Sequence, residues 1–553
     1  MSTVRDSRRP APAEPAQDDT ANSNAKPKYL HGAALLFFVV MAVVHSWPLA
    51  SDLGGLARLD NHDAESLTWT IAWVAHILPR APWQLFDAPI FYPEQHSLAF
   101  SEHMFVPSVL GAPLLWAGVS PVAVYNVLII AGLALSGWVM FLVMERWTGN
   151  VWAAVIAGLV YAFNAHVLTR FVHLQAQHVE FFPIMLYAFD RVLVEARRRD
   201  VMLLAAAFVL QALCSNYLLV FSAYALVVTS LVRWREVGAR RNELMLAGAI
   251  SVIAMGPFLF PYYQVNRDKG LTRSLQVVSQ YNAHWRDYLA TGGRLHYATW
   301  SRQFYGGANA LFPGFTALAL AGFAVGSQRG YRDRRIQSLL AVAALGLAFS
   351  LGTAMPGYSL LHNLLPLLNG LRNVARWGWL MLAAVAILAG FGAAALGKRL
   401  ARWPRAAMAL CVLVTAESIR TPVGFTPFTG LPAIYDRLAA EPAAIVAEFP
   451  FYSGADISLN GPYVLANTRY FRPLVNGYSS LQPDSFETRG HALRSFPSAT
   501  ALAELSVLHV THVMVHRDQF RRRFGQAALD AIDTVPELER IADEGEIRLY
   551  RMR

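Results

Sequence analysis

The segment LHGAALLFFVVMAVVHSWPLA, residues 30–50, decides the class of this protein. It is about 20 residues long, which is the length that crosses a hydrocarbon slab of roughly 30 Å as a helix, and it exceeds the apolar region of a signal peptide. It therefore predicts a membrane anchor that is retained. The polar residues before it, 1–29, predict a disordered N-terminus.

The composition extends this prediction to the whole chain. Of the 553 residues, 55% are hydrophobic and only 15% are charged, whereas soluble domains carry roughly 25% charged residues. We therefore expect a polytopic α-helical membrane protein with about 11 transmembrane helices between residues 30 and 420. The further apolar runs are 120–144, 151–166, 179–195, 201–216, 217–232, 244–262, 310–326, 337–354, 377–397 and 406–420.

The segment 104–119 decides the topology of those spans. It is about 16 residues long and is interrupted by Pro107 and Pro113, so it predicts an interfacial or re-entrant piece rather than a span. The short loops on one side then hold sixteen basic residues, whereas the outer segments 51–103 and 167–178 hold three. The positive-inside rule places the N-terminus in the cytoplasm, and it explains the net charge of +10 without nucleic acid.

The chain after residue 420 has a different pattern. Short apolar or β-branched runs, such as 444–451 and 510–515, alternate with helix-like stretches such as 521–532. This pattern predicts an extracytoplasmic α/β domain over residues 421–553, whose loops include the turn Asn476-Gly477-Tyr478. A domain without chemistry, acting as a structural cap, is an equal alternative. The two cysteines, Cys214 and Cys411, lie in apolar runs and provide neither a disulfide framework nor a thiolate metal site.

The first outer loop, 51–103, holds the acidic stretch RLDNHDAE at residues 58–65. Asp63 and Glu65 are two residues apart, so in an extended backbone both could reach one divalent cation, or one could act as a base beside the other. A solvated loop without chemistry is the alternative. The stretch 67–78 follows, and its Trp69, Trp73 and Ile77 recur at the spacing of a helix that lies in the membrane interface.

A second polar cluster lies at residues 170–180, between two predicted spans. His173, Gln177 and Glu180 are spaced to share one face of a helix, and polar groups at the edge of a membrane bundle are often functional. The alternative is a collar of histidines that contact headgroups or water. A zinc site of His173 and His178 is disfavoured, since a spacing of five residues does not place both on one helical face.

Basic residues form the third cluster. Arg372 and Arg376 are four residues apart, so in a helix both guanidinium groups would point the same way and suit a phosphate or pyrophosphate. The alternative is that both reach anionic headgroups. The loop 263–309 adds Arg267, together with aromatic residues that suit a sugar phosphate or an interfacial belt.

These features resemble the GT-C superfamily of integral-membrane glycosyltransferases, whose members include protein mannosyltransferases, aminoarabinose transferases and RgtA/B/C/D-like proteins. The resemblance covers residues 30–420 and lies in the acidic motif after the first span, the number of spans and the outer α/β domain. Asp-x-Glu preceded by Asp60 stands in place of the usual acidic pair, which leaves the identity of the base open. The residues that carry it are 60–65, 91–94, 101–103, 173–175, 310–314 and 371–377.

The resemblance implies a function for this chain. It would transfer a sugar, with inversion, from a polyprenyl phosphate-linked donor to an extracytoplasmic glycan, lipid or protein acceptor, in the bacterial cytoplasmic (inner) membrane. The catalytic carboxylates would be Asp63, Asp60 and Glu65, and a divalent cation (Mg or Mn) on Asp63 and Glu65 stays open. The residues expected to bind substrate are Glu102, His103, His173, Gln177, Arg372, Arg376 and Arg267.

Two alternatives remain from other classes. A transporter or flippase for a lipid-linked substrate would place ionisable groups near the middle of the membrane on broken helices. The span interiors here are almost free of charge. A non-catalytic relative that only binds lipid is the other alternative. A shared outward-facing cavity for Asp60, Asp63, Arg372 and Arg376 would favour the enzyme over both.

Overall fold

A computed structural model describes residues 29–58, 62–270, 272–306, 309–327, 330–397, 402–479 and 481–553. Helices dominate the chain up to residue 420, and each predicted span contains one helix near the expected position. These helices are Leu30–Ser46, Pro121–Thr148, Val151–Ala162, Phe181–Glu195, Arg198–Cys214, Asn216–Val232, Arg241–Lys269, Phe315–Gly326, Arg334–Ser350, Gly378–Ala395 and Pro404–Ser418.

The lengths of these helices vary. Among the described residues, three helical segments are long and apolar enough to cross a membrane: Pro121–Thr148, Arg241–Lys269 and Val374–Ala395. Five other apolar helices have 10–17 residues, so the number of spans stays a prediction. The Pro-interrupted segment forms the helix Phe105–Trp116, which contains Pro113 and, at 12 residues, is about 18 Å long. The remaining short helices of this part are Ala165–Leu168, Trp234–Ala239, Leu275–Ser279, Arg294–Thr299, Tyr358–Leu364 and Pro366–Asn369.

The helix Gly378–Ala395 forms the centre of the bundle. Nearly all of its residues are buried, and it packs against four other helices of the bundle. Small residues permit this close approach: a Cβ added at Gly392 would lie 1.9 Å from the carbonyl oxygen of Leu320. Small residues at helix contacts are typical of membrane bundles, where close packing replaces the hydrophobic effect.

Four helix ends that the predicted topology places on the inner side meet around Asp190. Its carboxylate accepts hydrogen bonds from Arg233 Nη1 at 2.6 Å and from Trp147 Nε1 at 3.2 Å, and Arg335 Nε lies 3.2 Å away. Asp190 and its three partners come from four different helices or their ends. These four helix ends therefore lie together at one end of the bundle.

The first outer loop contains the helix His62–Ile77, and the prediction for its tryptophans was wrong. Trp69 and Trp73 are 1% and 5% exposed and do not lie in a membrane interface. Trp69 Nε1 donates to Oδ1 of Asn467 at 3.1 Å, and Trp73 Nε1 donates to the carbonyl oxygen of Leu85. The apolar stripe of this helix is covered by protein, because the C-terminal domain packs on it.

Two short strands, β1 Leu56–Ala57 and β2 Thr426–Pro427, pair with each other. The C-terminal part contains a mixed sheet of four further strands, β3 Val446–Phe449, β4 His512–His516, β5 Leu538–Glu544 and β6 Ile547–Met552. Their order in the sheet is β3-β4-β6-β5; β3 and β4 are parallel, whereas β4–β6 and β5–β6 are antiparallel. The helices are Tyr435–Ala439, Gly461–Ala466, Asp484–Leu493, Ala499–Val507, Arg517–Phe524 and Gln526–Ile532.

The outer loop and the C-terminal domain share one hydrophobic core. An ion cluster joins the same parts: Glu94 of the loop, whose side chain is 7% exposed, contacts Lys269, at the end of a bundle helix, and Arg489 of the domain. Ser485 also donates to Glu94, at 2.6 Å. The acidic loop is therefore held between the bundle and the domain.

Candidate active site

A cavity of about 320 Å³ lies where the bundle, the first outer loop and the C-terminal domain meet. Its lining brings together five of the residues selected from the sequence, although they are far apart in the chain. Polar and charged groups form part of its wall, and the side chains of Leu219, Val220 and Leu259 form an apolar part. The five selected residues are Asp63, Glu102, His173, Arg372 and Arg376.

Asp63 lies in the first turn of the helix His62–Ile77, and its side chain is 35% exposed. Its Oδ2 lies 3.3 Å from Nε2 of His173, and its Oδ1 accepts a hydrogen bond from the phenol of Tyr478. Each oxygen of the carboxylate therefore has a protein partner, and the group is still accessible from the cavity.

The surroundings of Asp63 favour its charged form. Burial raises the pKa of the carboxyl, but the hydrogen bonds from His173 and Tyr478 and the charge of Arg376 outweigh it and hold that pKa below its ordinary value. Burial lowers the pKa of His173 to about 4, despite its bond to Asp63. At pH 7 a neutral His173 therefore donates its Nε2–H to an ionised Asp63.

Glu102 is the second carboxylate of the cavity wall. Its Oε1 accepts from the hydroxyl of Ser215 at 2.5 Å, and its Oε2 accepts from Nε2 of Gln175 at 2.7 Å. The backbone N–H of Tyr217 points to the same Oε1 at 3.4 Å. These hydrogen bonds hold Glu102 at the N-terminal end of the helix Asn216–Val232.

The arginines lie in the same cavity as Asp63. The guanidinium carbon of Arg376 is 4.6 Å from the ring centroid of Tyr217, and that of Arg372 is 5.0 Å from the ring centroid of Tyr281. The expected helix does not carry both, since Arg372 precedes the short 3-10 helix Val374–Trp377. Each aromatic ring contacts the face of a guanidinium group, and the N–H groups at the edge of that guanidinium can therefore bind a ligand.

A third arginine, Arg273, also lines this cavity. Burial and the charge of Arg372 lower its pKa to about 10, so it remains charged at pH 7. Among the described residues that line the cavity, three guanidinium groups face two carboxylates, which gives this set a net positive charge. Such a wall suits an anionic ligand that carries phosphate.

Four selected residues lie outside the cavity lining. Glu65 is two positions after Asp63 on a helix, about 200° around the axis, and it pairs with Nδ1 of His62 at 2.7 Å. The idea that Asp63 and Glu65 share a cation required an extended backbone, and the helix rules it out. His103 is 1% exposed, and its Nδ1 accepts from the N–H of Phe105. Arg267 faces solvent and pairs with Asp268 at 2.7 Å.

Gln177 is the fourth of these residues, and the helix predicted for it is absent. Only Leu174–Ala176 forms a 3-10 turn, and Gln177 Nε2 donates to the carbonyl oxygens of Val167 and Arg170. Glu180 pairs with His178 at 3.0 Å, away from His173. Gln177 therefore stabilises the loop through hydrogen bonds to its backbone. Of His173, Gln177 and Glu180, only His173 lines the cavity. Asp60 lies outside the described residues.

The sequence did not single out Tyr217 or Asn216, which also line the cavity, and Gln175 entered only as part of the stretch 173–175 that carries the resemblance. Tyr217 and Asn216 look like ordinary first residues of an apolar helix, and no spacing signal separates them from a core. Arg273 lies in the basic and aromatic loop 263–309 and Tyr478 in the turn Asn476-Gly477-Tyr478, and the sequence assigns neither of them to the site.

Among the described residues, Asp63 and Glu102 are the two carboxylates that line this cavity, and each of their oxygens has a protein hydrogen-bond partner. A divalent cation at this place stays an expectation from the sequence. The part of the chain that the structure describes contains no group of three or more His, Cys, Asp or Glu that could hold a metal ion. The chemistry below uses no metal.

Comparison with known proteins identifies the fold. No protein-family profile matches the chain, and no curated protein matches it. The apo crystal structure of the Archaeoglobus fulgidus oligosaccharyltransferase is similar, with a TM-score of 0.51 and 14% identity over 89% of this chain and 70% of that one. ArnT from Cupriavidus metallidurans bound to undecaprenyl phosphate gives a TM-score of 0.47 and 15% identity over 94% and 98%. This similarity shows that the chain shares the fold of that oligosaccharyltransferase.

Proposed function

We propose that this chain, which has the GT-C fold, is a membrane glycosyltransferase that moves a sugar from a polyprenyl phosphate-linked donor to an extracytoplasmic acceptor. One observation carries the proposal: an accessible, ionised Asp63 and three arginines line a single cavity of about 320 Å³. A base and an anion site in one cavity are what glycosyl transfer from a phosphate requires.

Arg372, Arg376 and Arg273 would bind the phosphate of the donor. A guanidinium group offers paired N–H donors to phosphate oxygens, and its charge persists at neutral pH. As the bond from the anomeric carbon to the phosphate oxygen breaks, negative charge builds up on that oxygen. Arginines already fixed in the cavity wall stabilise this charge without reorganisation.

Asp63 would meet the acceptor. The acceptor hydroxyl hydrogen-bonds to the carboxylate and attacks the anomeric carbon from the side opposite the phosphate, which inverts its configuration. The new bond joins the acceptor oxygen to that carbon, the proton passes to Asp63, and the electron pair of the broken bond leaves with the lipid phosphate. Because its pKa is held low, Asp63 mainly orients the nucleophile and takes the proton late.

The polyprenyl chain would lie along the apolar wall of the cavity. Leu219 and Val220 belong to one bundle helix and Leu259 to the long helix Arg241–Lys269. Leu259 is 37% exposed, and only 22% of the most apolar 18-residue stretch of its helix is buried within the protein. This helix therefore offers an apolar surface that an isoprenoid tail entering from the bilayer can follow.

The predicted location agrees with this chemistry. With the N-terminus in the cytoplasm, the cavity and the C-terminal domain face outward, where a glycan, lipid or protein acceptor is available. We place the protein in the bacterial cytoplasmic membrane on the charge pattern and the proposed donor.

The test is to incubate the purified protein with a panel of polyprenyl-phosphate sugars and to measure the release of lipid phosphate. Release by the wild type and its loss in Asp63→Asn, with normal membrane insertion, would support the enzyme. The same protein in liposomes would be assayed for movement of a labelled lipid-linked sugar between leaflets. Movement without release would favour the flippase, and binding without either would favour a non-catalytic relative.

A further inference from the structure

Asp63 is held from two directions by parts of the chain that are distant in sequence. His173, from the loop between two bundle helices, approaches Oδ2, and Tyr478, from the C-terminal domain, donates its phenol O–H to Oδ1. Tyr478 lines the same cavity as Asp63. We propose that Tyr478 is a positioning residue of the active site, so that the C-terminal domain completes the site instead of only covering it.

The backbone that carries Tyr478 is fixed to the acidic outer loop. The N–H of Leu474 donates to the carbonyl oxygen of Pro89 at 2.7 Å, and the N–H of Tyr92 donates back to Leu474 at 3.0 Å. The N–H of Phe91 donates to the carbonyl oxygen of Asn476 at 3.0 Å. The two segments thus pair like short strands, and the position of Tyr478 follows that of the loop that holds Asp63.

Two contacts next to Tyr478 tighten this attachment. A Cβ added at Gly477 would lie 2.5 Å from the ring of Phe91, so only glycine permits this approach. On the other side, the hydroxyl of Ser479 donates to the carbonyl oxygen of Phe100 at 2.5 Å. The phenol is therefore presented to Asp63 by a segment anchored on both sides.

The buried amide of Asn476 connects this segment to the sheet of the domain. Its Oδ1 accepts from the N–H of Glu448 in β3 at 2.7 Å, and its Nδ2 donates to the carbonyl oxygen of the same residue at 2.9 Å. Hydrogen bonds therefore connect Asp63 to the sheet through Tyr478 and Asn476. A domain that only covered the cavity would not need these hydrogen bonds to Asp63.

The proposed role is geometric. A carboxylate with a donor on each oxygen cannot rotate freely about its Cβ–Cγ bond, and each oxygen keeps lone pairs that an acceptor hydroxyl can use. The O–H of Tyr478 also stabilises the charged form of Asp63. Tyr478 would therefore hold the carboxylate plane at the angle needed to orient the incoming hydroxyl. This role of Tyr478 rests on the proposed function, because it takes Asp63 as the group that hydrogen-bonds to the acceptor hydroxyl.

Tyr478→Phe removes one hydroxyl and keeps the ring. We expect kcat for lipid-phosphate release to fall roughly tenfold to a hundredfold, which is the value of one hydrogen bond to a charged group. The KM for the donor should change little, since the arginines remain. The acid limb of the pH–rate profile should move to higher pH, because Asp63 loses a donor that favours its charged form.

Tyr452→Phe is the matched control. Its phenol belongs to the same domain and donates to Oε1 of Gln519 at 3.2 Å, outside this cavity. Tyr452→Phe should therefore have the kcat of the wild type and the same acid limb of the pH–rate profile. Gly477→Ala is a second variant, which displaces the segment by contact with Phe91 and should reproduce the kinetics of Tyr478→Phe with the phenol still present. Wild-type kcat and an unmoved acid limb in Tyr478→Phe would overturn the proposal.

An infrared titration separates this inference from the proposed function. The carboxyl stretch of protonated Asp63 would be identified as the band that Asp63→Asn lacks. Tyr478→Phe should move the midpoint of this band to higher pH, in a protein without any substrate. No release of lipid phosphate by the wild type would count against the enzyme alone, whereas an unmoved midpoint would count against the role of Tyr478 alone.

Discussion

Nε2 of His173 lies 3.3 Å from Oδ2 of Asp63, across 110 residues of chain. His173 is a buried neutral imidazole whose pKa burial lowers to about 4, and Asp63 is a carboxylate whose pKa is held below its ordinary value. The pair is thus a neutral donor beside a charged acceptor. Its charge state does not change between pH 5 and pH 8, which determines how the protein responds to pH.

The first prediction concerns stability in acid. Between about pH 6.5 and pH 4 an unfolded His173 binds a proton that the folded one does not, so the free energy of unfolding falls as the pH falls. His173→Gln can still donate to Asp63 but cannot titrate. We expect thermal unfolding in detergent to show a weaker loss of stability over this window, by at most about 1.4 kcal/mol per pH unit. His284→Gln, at an exposed histidine, should retain the wild-type slope; an equal slope in both variants would contradict the prediction.

The same pair predicts the pH dependence of activity. Asp63 must be ionised to orient the acceptor, and its depressed pKa keeps it charged well below pH 5. Lipid-phosphate release should therefore show no acid limb from Asp63 between pH 5 and pH 8. A limb in this range that His173→Gln removes would mean that His173, rather than Asp63, controls the rate.

The third prediction concerns the different roles of Asp63 and Glu65. Asp63→Asn should reduce transfer at least a hundredfold, because the neutral amide neither orients the acceptor hydroxyl as an anion nor takes its proton, a role worth roughly 10²- to 10⁴-fold. Glu65→Gln should keep transfer but reduce stability by about 1–3 kcal/mol, because Glu65 is buried against His62 and Gly461. Both variants are compared by lipid-phosphate release and by thermal unfolding. Full activity in Asp63→Asn and in Asp60→Asn would remove the carboxylate mechanism.

The arginines provide a further prediction. Arg376→Gln and Arg372→Gln should each lower kcat/KM for the polyprenyl-phosphate donor by about tenfold to a hundredfold, because a charged hydrogen bond to phosphate is lost. Arg267→Gln is the control, since Arg267 is exposed and paired with Asp268 outside the cavity. An equal loss in Arg267→Gln would indicate a general effect of surface charge.

The last prediction concerns the attachment of the C-terminal domain. Glu94 is nearly buried between Lys269 and Arg489. Glu94→Gln leaves two cations without their anion, so we expect a loss of about 3 kcal/mol and easier proteolysis between the bundle and the domain. Glu441→Gln, at an exposed pair with Arg551, should change neither measurement. Unchanged proteolysis of Glu94→Gln would show that the shared apolar core alone attaches the domain.

Much of the architecture was readable from the sequence, because apolar length and helix formation are local properties. The sequence alone locates the apolar segment 30–50, the Pro-interrupted segment 104–119 and the central helix near 377–397. The pairing of Asp63 with the arginines was a hypothesis from side-chain chemistry. The structure places them in one cavity, and their roles await the variants above.

Other expectations failed because they assumed a local backbone or a local environment. Glu65 was paired with Asp63 on an extended chain, and a helix separates them. Trp69 and Trp73 have the spacing of an interfacial helix, yet a domain almost 400 residues later covers them. Gln177 was assigned to a helical face that does not form.

The sequence by itself determined that this is a helical chain with an apolar bundle, an acidic outer loop and a mixed C-terminal part, since these follow from composition and periodicity. Only the tertiary structure decided which carboxylate has access to the cavity, which arginines face it and that Tyr478 reaches Asp63. The reason is physical: contacts between residues 63, 173, 376 and 478 depend on how distant segments pack, and no spacing along the chain encodes that distance.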